Sequence, residues 1–302
     1  MREKIFVVGA SGFIGQELVY QLINSRRYDV IAGINSQSIL PKSKRERRID
    51  LTIEDEVNDS IHSESPDIII NLAAMSTIWK CEENKDTAYR INVKGVEYLV
   101  KATEGLEQRP LFIHFSTDHV FNGFDGRNGS YREEDSAEPG NHYGKTKLES
   151  EGIVRNSSLD HLIIRTSLTF GEYRYLHRQD RLNHMIIRSL KNSEFFNIDK
   201  NSTISPTCLE YLCRGILFLL KKGVKNETVH IAGSDAVTKF EFAKMIARSL
   251  GDKYESMITV SKDTPIKNTS LNTEKMRNLG YHRMSIRKAL EYYRKSINTD
   301  PI

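Results

Sequence analysis

Short apolar runs alternate with amphipathic stretches through the first half of the chain. The apolar runs predict strands over residues 4–9, 30–34, 67–72, 111–116 and 162–166. These runs are continuous rather than alternating, which is typical of parallel strands covered on both faces. Apolar residues at helical spacing predict helices over residues 12–24, 87–104 and 143–156. This order of elements predicts an α/β fold built on a Rossmann-type, doubly wound parallel sheet.

The pattern changes after about residue 167. Helices are predicted over residues 182–190, 207–221, 238–250 and 285–295, with a strand at 228–231. We therefore predict a first domain over residues 1–167, to which a segment at 193–222 returns. Residues 168–192 and 223–302 are predicted to form a smaller C-terminal lobe that caps the cleft of the first domain.

Composition and charge exclude several classes of protein. The chain has 302 residues, and its 44 basic and 40 acidic side chains give a net charge of +4. That balance argues against a nucleic-acid scaffold, in which basic residues concentrate on one face. No apolar run approaches the ~20 residues that cross a bilayer, and no signal-peptide pattern precedes the first strand. Three cysteines without a Cys-x-x-Cys pair predict neither disulfides nor a zinc site, so we expect a cytoplasmic protein. From the charge balance and the short apolar runs we expect that it binds neither nucleic acid nor membrane.

Three glycines follow the first predicted strand at the spacing Gly-x-x-Gly-x-x-Gly. Gly9, Gly12 and Gly15, together with Phe13 and Ile14, open the first helix. Glycine lets the backbone turn tightly and approach a pyrophosphate, and a helix N-terminus offers free N–H groups and a partial positive charge. We therefore predict that these five residues bind the pyrophosphate of a dinucleotide, and that the first domain is an NAD(P)-binding domain.

The end of the second predicted strand distinguishes between the two nicotinamide cofactors. An acidic residue there would hold the ribose hydroxyl of NAD, but the strand runs into Asn35 and Ser36. A basic cluster downstream would suit the 2′-phosphate of NADP, and it would equally suit a solvated loop. The cluster consists of Lys42, Lys44, Arg45, Arg47 and Arg48. We predict NADP(H), with NAD(H) as the alternative, and an adenine contact from Asp50 and Leu51.

A tyrosine and a lysine four residues apart lie on one face of the third predicted helix. An ammonium near a phenol favours the phenolate and lowers the pKa of the tyrosine, so Tyr143 and Lys147 are candidate catalytic residues. The lysine can also hydrogen-bond the nicotinamide ribose. Thr117 ends a buried strand at the ligand-binding edge of the sheet and can donate a hydrogen bond to a carbonyl. Ala73 and Ala74 end another strand, where small side chains admit a flat cofactor ring.

These residues resemble the extended short-chain dehydrogenase/reductase superfamily and, within it, the dTDP-4-dehydrorhamnose reductase family of sugar-nucleotide reductases. The resemblance covers nearly the whole chain. Its most specific parts are STDHVFNG at 116–123 and YGKTKLESE at 143–151. Other matching stretches are GASGFIG at 9–15, PDIIINLAAM at 66–75, YREED at 131–135, IIRTS at 163–167, SPT at 205–207, TVHIAG at 228–233 and KFEFAKMIARSLG at 239–251.

The resemblance implies a reductase that transfers hydride from NAD(P)H to the C4 carbonyl of a nucleotide-linked 4-keto-6-deoxy sugar, as in dTDP-L-rhamnose biosynthesis. Tyr143 would donate the proton, Lys147 would stabilise the phenolate and contact the ribose, and Thr117 would orient the carbonyl. Further residues that the resemblance places near the nicotinamide or the sugar are Ala74, Met75, Ser76, Asp118 and Leu168. Many members of the family have an aromatic residue where this chain has leucine at 168, so the sugar stays open. We expect no metal.

Two other functions stay open. The regulatory β subunit of methionine adenosyltransferase resembles the same family, binds NADP and acts as a partner protein, and the YREED and YGKTKLE stretches are similar to it as well. A nucleotide-sugar epimerase or dehydratase is the third hypothesis, but dehydratases usually follow the threonine with Asp-Glu, whereas Thr117 is followed by Asp118 and His119. The intact catalytic set favours the reductase. The nucleotide and the oligomeric state are left open, a homodimer being one option.

Overall fold

A seven-stranded parallel sheet forms the centre of the protein. The computed structural model describes residues 2–40, 45–126, 129–176, 178–261 and 264–298. The strands of this sheet, numbered along the whole chain, are β1 Glu3–Val8, β2 Tyr28–Ile34, β3 Glu46–Arg48, β4 Ile68–Asn71, β5 Leu111–Thr117, β6 His161–Thr166 and β11 Glu227–His230. Their spatial order is β11-β6-β5-β4-β1-β2-β3, with every neighbouring pair parallel. The order reverses between β1 and β4, which is where open α/β sheets bind ligands.

Helices cover both faces of the sheet. Their bounds are α1 Phe13–Ser25, α2 Glu54–Glu64, α3 Ile78–Glu83, α4 Lys85–Tyr89, α5 Gly95–Glu104, α6 His142–Arg155, α7 Leu182–Lys191, α8 Leu209–Lys222, α9 Lys239–Leu250, α10 Glu274–Asn278 and α11 Ile286–Asn298. Helices α1 and α8 pack on one face, and α2, α5 and α6 pack on the other. Successive residues of a strand face opposite sides of the sheet. Ile68 and Ile70 therefore pack in the core shared with α1 and α8, and Ile69 packs in the core shared with α2, α5 and α6. No helix in the described part of the chain is long and apolar enough to cross a bilayer.

The predicted α/β fold with a parallel sheet is confirmed. Each strand predicted from an apolar run is present, with ends within two residues of the prediction. The helix predicted over residues 87–104 is divided into α4 and α5 by a π turn at Arg90–Lys94. The sequence does not predict β3 or α2. Strand β3 has only three residues, all charged, and α2 buries only Val57, Ser60 and Ile61, which leaves little apolar periodicity.

The C-terminal half adds three small sheets. Their strands are β7 Thr169–Phe170, β8 Phe196–Ile198, β9 Ser202–Ile204, β10 Thr207–Cys208, β12 Val237–Thr238, β13 Ile258–Val260 and β14 Lys267–Asn268. Strand β7 pairs with β10, β8 pairs with β13, and β9 lies between β12 and β14. The predicted boundary is wrong for β11, because residues 227–230 pair with β6 in the large sheet. Of the predicted return segment, α8 packs on α1 whereas β8 and β9 belong to the small sheets. The remaining division into two lobes stays a prediction.

Candidate active site

The glycine turn lies between β1 and the N-terminus of α1. Gly9 has a left-handed backbone with φ of 83°, and a Cβ on it would lie 2.6 Å from the backbone nitrogen of Ala73. A Cβ on Gly15 would overlap the carbonyl oxygen of Gly9. The N-cap residue of α1 is Gly12, and no side chain caps the helix. The turn is therefore a cradle without side chains, and its shape and free N–H groups fit a pyrophosphate.

The residues predicted to hold the adenosine lie beyond the ends of β2 and β3. Asp50 accepts hydrogen bonds from the backbone and hydroxyl of a threonine in its own turn, and these lower its pKa, with further contributions from Asn35 and Arg48. Arg48 and Ser36 are exposed. The side chain of Leu51 is instead buried in the hydrophobic core, so it cannot make the predicted contact to an adenine through that side chain.

The structure divides the predicted basic cluster. Lys42 and Lys44 lie outside the described residues. Arg45 forms an ion pair with Asp29 at 2.8 Å and a second ion pair with Glu64. Asp29 is at the beginning of β2, so the guanidinium of Arg45 is directed toward the amino ends of the strands and away from the glycine turn. Among the described members, Arg45 therefore lies away from Arg48, and these two do not form one phosphate site.

Thr117 and Asp118 lie where β5 ends, and both are buried. The Asp118 carboxylate accepts hydrogen bonds from the hydroxyls of Thr117 at 3.1 Å, Ser167 at 2.9 Å and Thr269 at 3.0 Å. These bonds tie the ends of β5 and β6 to the segment that follows β14. Asp118 lines the cleft as predicted, but its oxygens are already engaged by hydroxyls, so its main effect there is its negative charge.

Tyr143 lies in the first turn of α6, which Asn141 caps by accepting a hydrogen bond from the backbone of Gly144 at 2.8 Å. Burial and the negative charge of Asp118 raise the pKa of the phenol, and a hydrogen bond with Thr117 opposes the rise. The net pKa of the phenol is therefore raised, whereas the spacing of Tyr143 and Lys147 predicts a lowered one. The physical reason is that the phenol is almost fully buried beside a carboxylate. A phenol of this kind keeps its proton at neutral pH.

Lys147 is buried one helical turn beyond the tyrosine. Burial lowers its pKa to about 7, and the negative charge of Glu151 opposes this effect. Its Nζ lies 3.0 Å from Nε2 of His114 on β5. Burial, and then the charge of Lys147, hold the pKa of His114 well below its usual range. The sequence gives no sign of this contact, because the two residues are 33 positions apart and on different elements.

The π turn holds the segment after β4 against α6. The side chain of Asn92 donates hydrogen bonds to the Met75 carbonyl at 3.1 Å and to the Thr146 hydroxyl at 3.0 Å, and it accepts one from the Met75 nitrogen at 2.8 Å. Turns of this type are frequent at functional sites. As a result, Ala74, Met75 and Ser76 line the same cleft as Tyr143.

A cleft of about 900 Å³ brings most of the predicted residues together. The predicted residues on its walls are Gly9, Gly12, Phe13, Ile14, Gly15, Ala74, Met75, Ser76, Thr117, Asp118, Tyr143, Lys147 and Leu168. Those that lie outside its walls are Asn35, Ser36, Arg48, Asp50, Leu51 and Ala73. Cationic side chains that the sequence does not single out also line it: Lys80, Arg178, Arg181, Arg188, Lys239 and Lys267. Among the described residues, no group of three or more His, Cys, Asp or Glu side chains is arranged to hold a metal ion.

Comparison with known proteins shows the family of the chain. A family model described as the RmlD substrate binding domain matches residues 3–298. The chain belongs to this family. It is 31% identical over 245 residues to the dTDP-4-dehydrorhamnose reductase of Aggregatibacter actinomycetemcomitans, covering 80% of this chain and 76% of the relative. The family that the motifs predict is thereby confirmed. The chain is also 27% identical over 288 residues to methionine adenosyltransferase 2 subunit beta of Mus musculus, covering 92% of this chain and 82% of the relative.

Solved structures agree with this assignment. The crystal structure of dTDP-4-dehydrorhamnose reductase from Bacillus anthracis in complex with NADP is similar with a TM-score of 0.83 and 25% identity, over 98% of this chain and 100% of that one. A UDP-glucose 4-epimerase from Thermotoga maritima has the same TM-score at 20% identity, over 98% of this chain and 100% of that one, and shows the shared fold alone.

Proposed function

We propose that this chain is an NADPH-dependent reductase of the C4 carbonyl in a nucleotide-linked 4-keto-6-deoxy sugar. The observation that carries the proposal is a single cleft in which Thr117, Tyr143 and Lys147 share the walls with the glycine turn. The relatives described as dTDP-4-dehydrorhamnose reductases support a dTDP-linked sugar and a step in dTDP-L-rhamnose biosynthesis. The family match over residues 3–298 supports the same class of chemistry.

The catalytic side chains divide the work of the reduction. When bound, the nicotinamide supplies the hydride. Tyr143 donates its phenol proton to the oxygen at C4, and burial keeps this proton in place until it is needed. Thr117, which is hydrogen-bonded to the phenol, orients the carbonyl when its hydroxyl proton turns from Asp118 to the substrate oxygen. Lys147 stabilises the phenolate that is left and offers its remaining N–H groups to the ribose.

The preference for NADPH follows from the end of β2. The strand ends at Ile34 and is followed by Asn35, so no carboxylate stands where it would bind the ribose hydroxyl of NAD and repel a 2′-phosphate. Arg48 lies beside this end, one strand away. Arg178 reaches the same region from the C-terminal half and contacts the side chain of Gln37. Two guanidinium groups, one on β3 and one in the segment before α7, therefore flank the expected position of the 2′-phosphate.

The charge of the cleft suits a diphosphate. Six cationic side chains besides Lys147 line it, against two carboxylates, Asp118 and Asp180. The first of these carboxylates is already bound by three hydroxyls. A cleft of one sign attracts ligands of the opposite sign and raises their local concentration. A nucleotide sugar brings two phosphate charges beside an uncharged sugar, which matches this excess of positive charge.

The compartment is also part of the proposal. Cys81, Cys208 and Cys213 are free and buried, which supports the reducing cytoplasm as the place where the protein works. A homodimer stays a prediction.

A paired turnover assay tests the proposed reaction. Purified protein is offered NADPH or NADH with a panel of dTDP-, UDP- and GDP-linked 4-keto-6-deoxy sugars, and oxidation of the reduced nicotinamide is followed by its absorbance. We expect rapid oxidation of NADPH with at least one sugar. Tight NADPH binding without oxidation on any sugar would contradict the reductase. It would favour a regulatory role, for which the similarity to methionine adenosyltransferase 2 subunit beta is the supporting observation.

A further inference from the structure

Lys147 has an unusual partner for a buried cation. Its Nζ lies 3.0 Å from Nε2 of His114, and the two residues are only 2% and 0% exposed. Within the described ranges, no carboxylate lies within ion-pair distance of this Nζ. Buried charges in proteins are normally paired with an opposite charge. A neutral ring in this position therefore calls for a functional explanation.

The carboxylate that acts on Lys147 is committed to other partners. Glu151, one turn further along α6, accepts hydrogen bonds from Arg165 on β6 at 2.9 and 2.7 Å and forms an ion pair with Arg155 at 3.3 Å. The other titratable groups facing Lys147 are His114 on β5, which burial keeps neutral, and the catalytic tyrosine one turn before it. The Lys147 ammonium is thus in contact with the neutral His114 ring, which does not neutralise its positive charge.

We propose that His114 is a positioning residue, which holds the Lys147 amine in place and leaves it able to gain or lose its proton. The Nε2 of a neutral imidazole accepts a hydrogen bond from an ammonium in one tautomer and donates one to an amine in the other. Ser150 Oγ, 3.0 Å from Nε2, and Asn71 Nδ2, 3.4 Å from Nδ1, contact the ring on both edges. A carboxylate in this position would stabilise only the ammonium and would cancel its field at Tyr143.

This inference rests on the proposed function, in which Lys147 serves the phenolate and the cofactor ribose. Its test therefore uses a readout that needs no sugar substrate, the pH dependence of NADPH binding followed by nicotinamide fluorescence. For the wild-type protein we expect a midpoint near pH 7, where Lys147 titrates. His114→Leu removes the partner, so the ammonium is less stable, and the midpoint should fall by about one pH unit with binding weakened about tenfold. His114→Glu should raise the midpoint by about one unit or more.

Two further variants separate positioning from packing. His114→Gln retains a neutral group that can donate and accept, and it should recover NADPH binding to within about fivefold of the wild type. His230→Leu is the matched control, because His230 is a fully buried histidine on β11 whose Nδ1 lies 3.1 Å from the Asn272 carbonyl. We expect this variant to leave the midpoint unchanged.

The outcomes distinguish the inference from the function on which it rests. A midpoint that stays in place in His114→Leu, or that moves as far in His114→Gln or in His230→Leu as in His114→Leu, would overturn the positioning role. If His114→Glu does not fold, the leucine and glutamine variants decide. A wild-type protein that binds NADPH but reduces no sugar would overturn the reductase, while the midpoints would still decide the role of His114.

Discussion

Replacing Lys147 with methionine should stabilise the protein while removing its activity. Burial lowers the pKa of this lysine from 10.5 to about 7. One pKa unit corresponds to about 1.4 kcal/mol, so holding the buried ammonium destabilises the folded state by about 5 kcal/mol below pH 7. Methionine has a similar length and no charge, but it gives up the contact with His114, which costs about 1–2 kcal/mol. The expected gain in the free energy of unfolding is therefore about 3 kcal/mol at pH 6.

The gain should depend on pH in a defined direction. Because the pKa of Lys147 is lower in the folded state, the unfolded chain binds more protons between about pH 7 and pH 10.5. In that interval the wild-type protein becomes more stable as the pH rises. At pH 9 the buried lysine destabilises the fold by only about 2 kcal/mol, so most of the advantage of methionine should have disappeared.

Urea unfolding followed by far-UV circular dichroism at pH 6, 7.5 and 9 measures this difference. Lys145→Met is the matched control, because Lys145 is an exposed lysine on the same helix. Its substitution should change the free energy of unfolding by no more than about 0.5 kcal/mol at any pH. The reasoning would be refuted if Lys147→Met were no more stable than the wild type at pH 6. It would also be refuted if the gain in the free energy of unfolding were the same at pH 6 and pH 9.

Three further predictions test other parts of the account. Tyr143→Phe should lower kcat by about 10²–10⁴-fold, because it removes the proposed proton donor, and should leave the Kd for NADPH within about threefold. Near-normal turnover would argue against the assignment. Arg48→Ala should raise the Kd for NADPH at least about tenfold more than the Kd for NADH in a binding titration. Arg45→Ala should not change that ratio, because the ion pairs of Arg45 lie at the other end of the sheet. Equal losses of affinity for both cofactors in Arg48→Ala would contradict the 2′-phosphate contact. Arg165→Leu leaves the buried Glu151 without its main partner and should lower the free energy of unfolding by about 3–5 kcal/mol. An unchanged free energy in urea unfolding would contradict a stabilising role for this ion pair.

The parts of the fold that can be predicted from sequence are those with a strong burial pattern. All four residues of β4 are buried, and their continuous apolar run predicts a central parallel strand. Helix α2 has an acidic, mostly exposed sequence and is not predicted. The edge strand β3 pairs with β2 alone, and all three of its residues are charged. Its pairing is decided by tertiary structure rather than by hydrophobicity, so the sequence pattern does not predict it.

The site follows the same division between local and long-range information. The spacing of Tyr143 and Lys147 within one helix, and the position of Thr117 at the end of a strand, are local features that can be read from the sequence, and the structure brings all three residues to one cleft. The direction of the pKa shift of the tyrosine depends on burial and on Asp118, neither of which can be read from the spacing. The contact with His114 joins β5 to α6, so only the folded structure shows it.

Transfer of a labelled hydride tests the central claim most directly. The protein is incubated with NADPH carrying deuterium at the transferable position of the nicotinamide, together with the 4-keto sugar nucleotide that it turns over, and the product is examined by NMR. The account predicts one deuterium at C4 of the product sugar, with none incorporated by Tyr143→Phe on the same timescale. Deuterium at another carbon, or product formed without deuterium as in a reaction that returns its hydride to the cofactor, would contradict it.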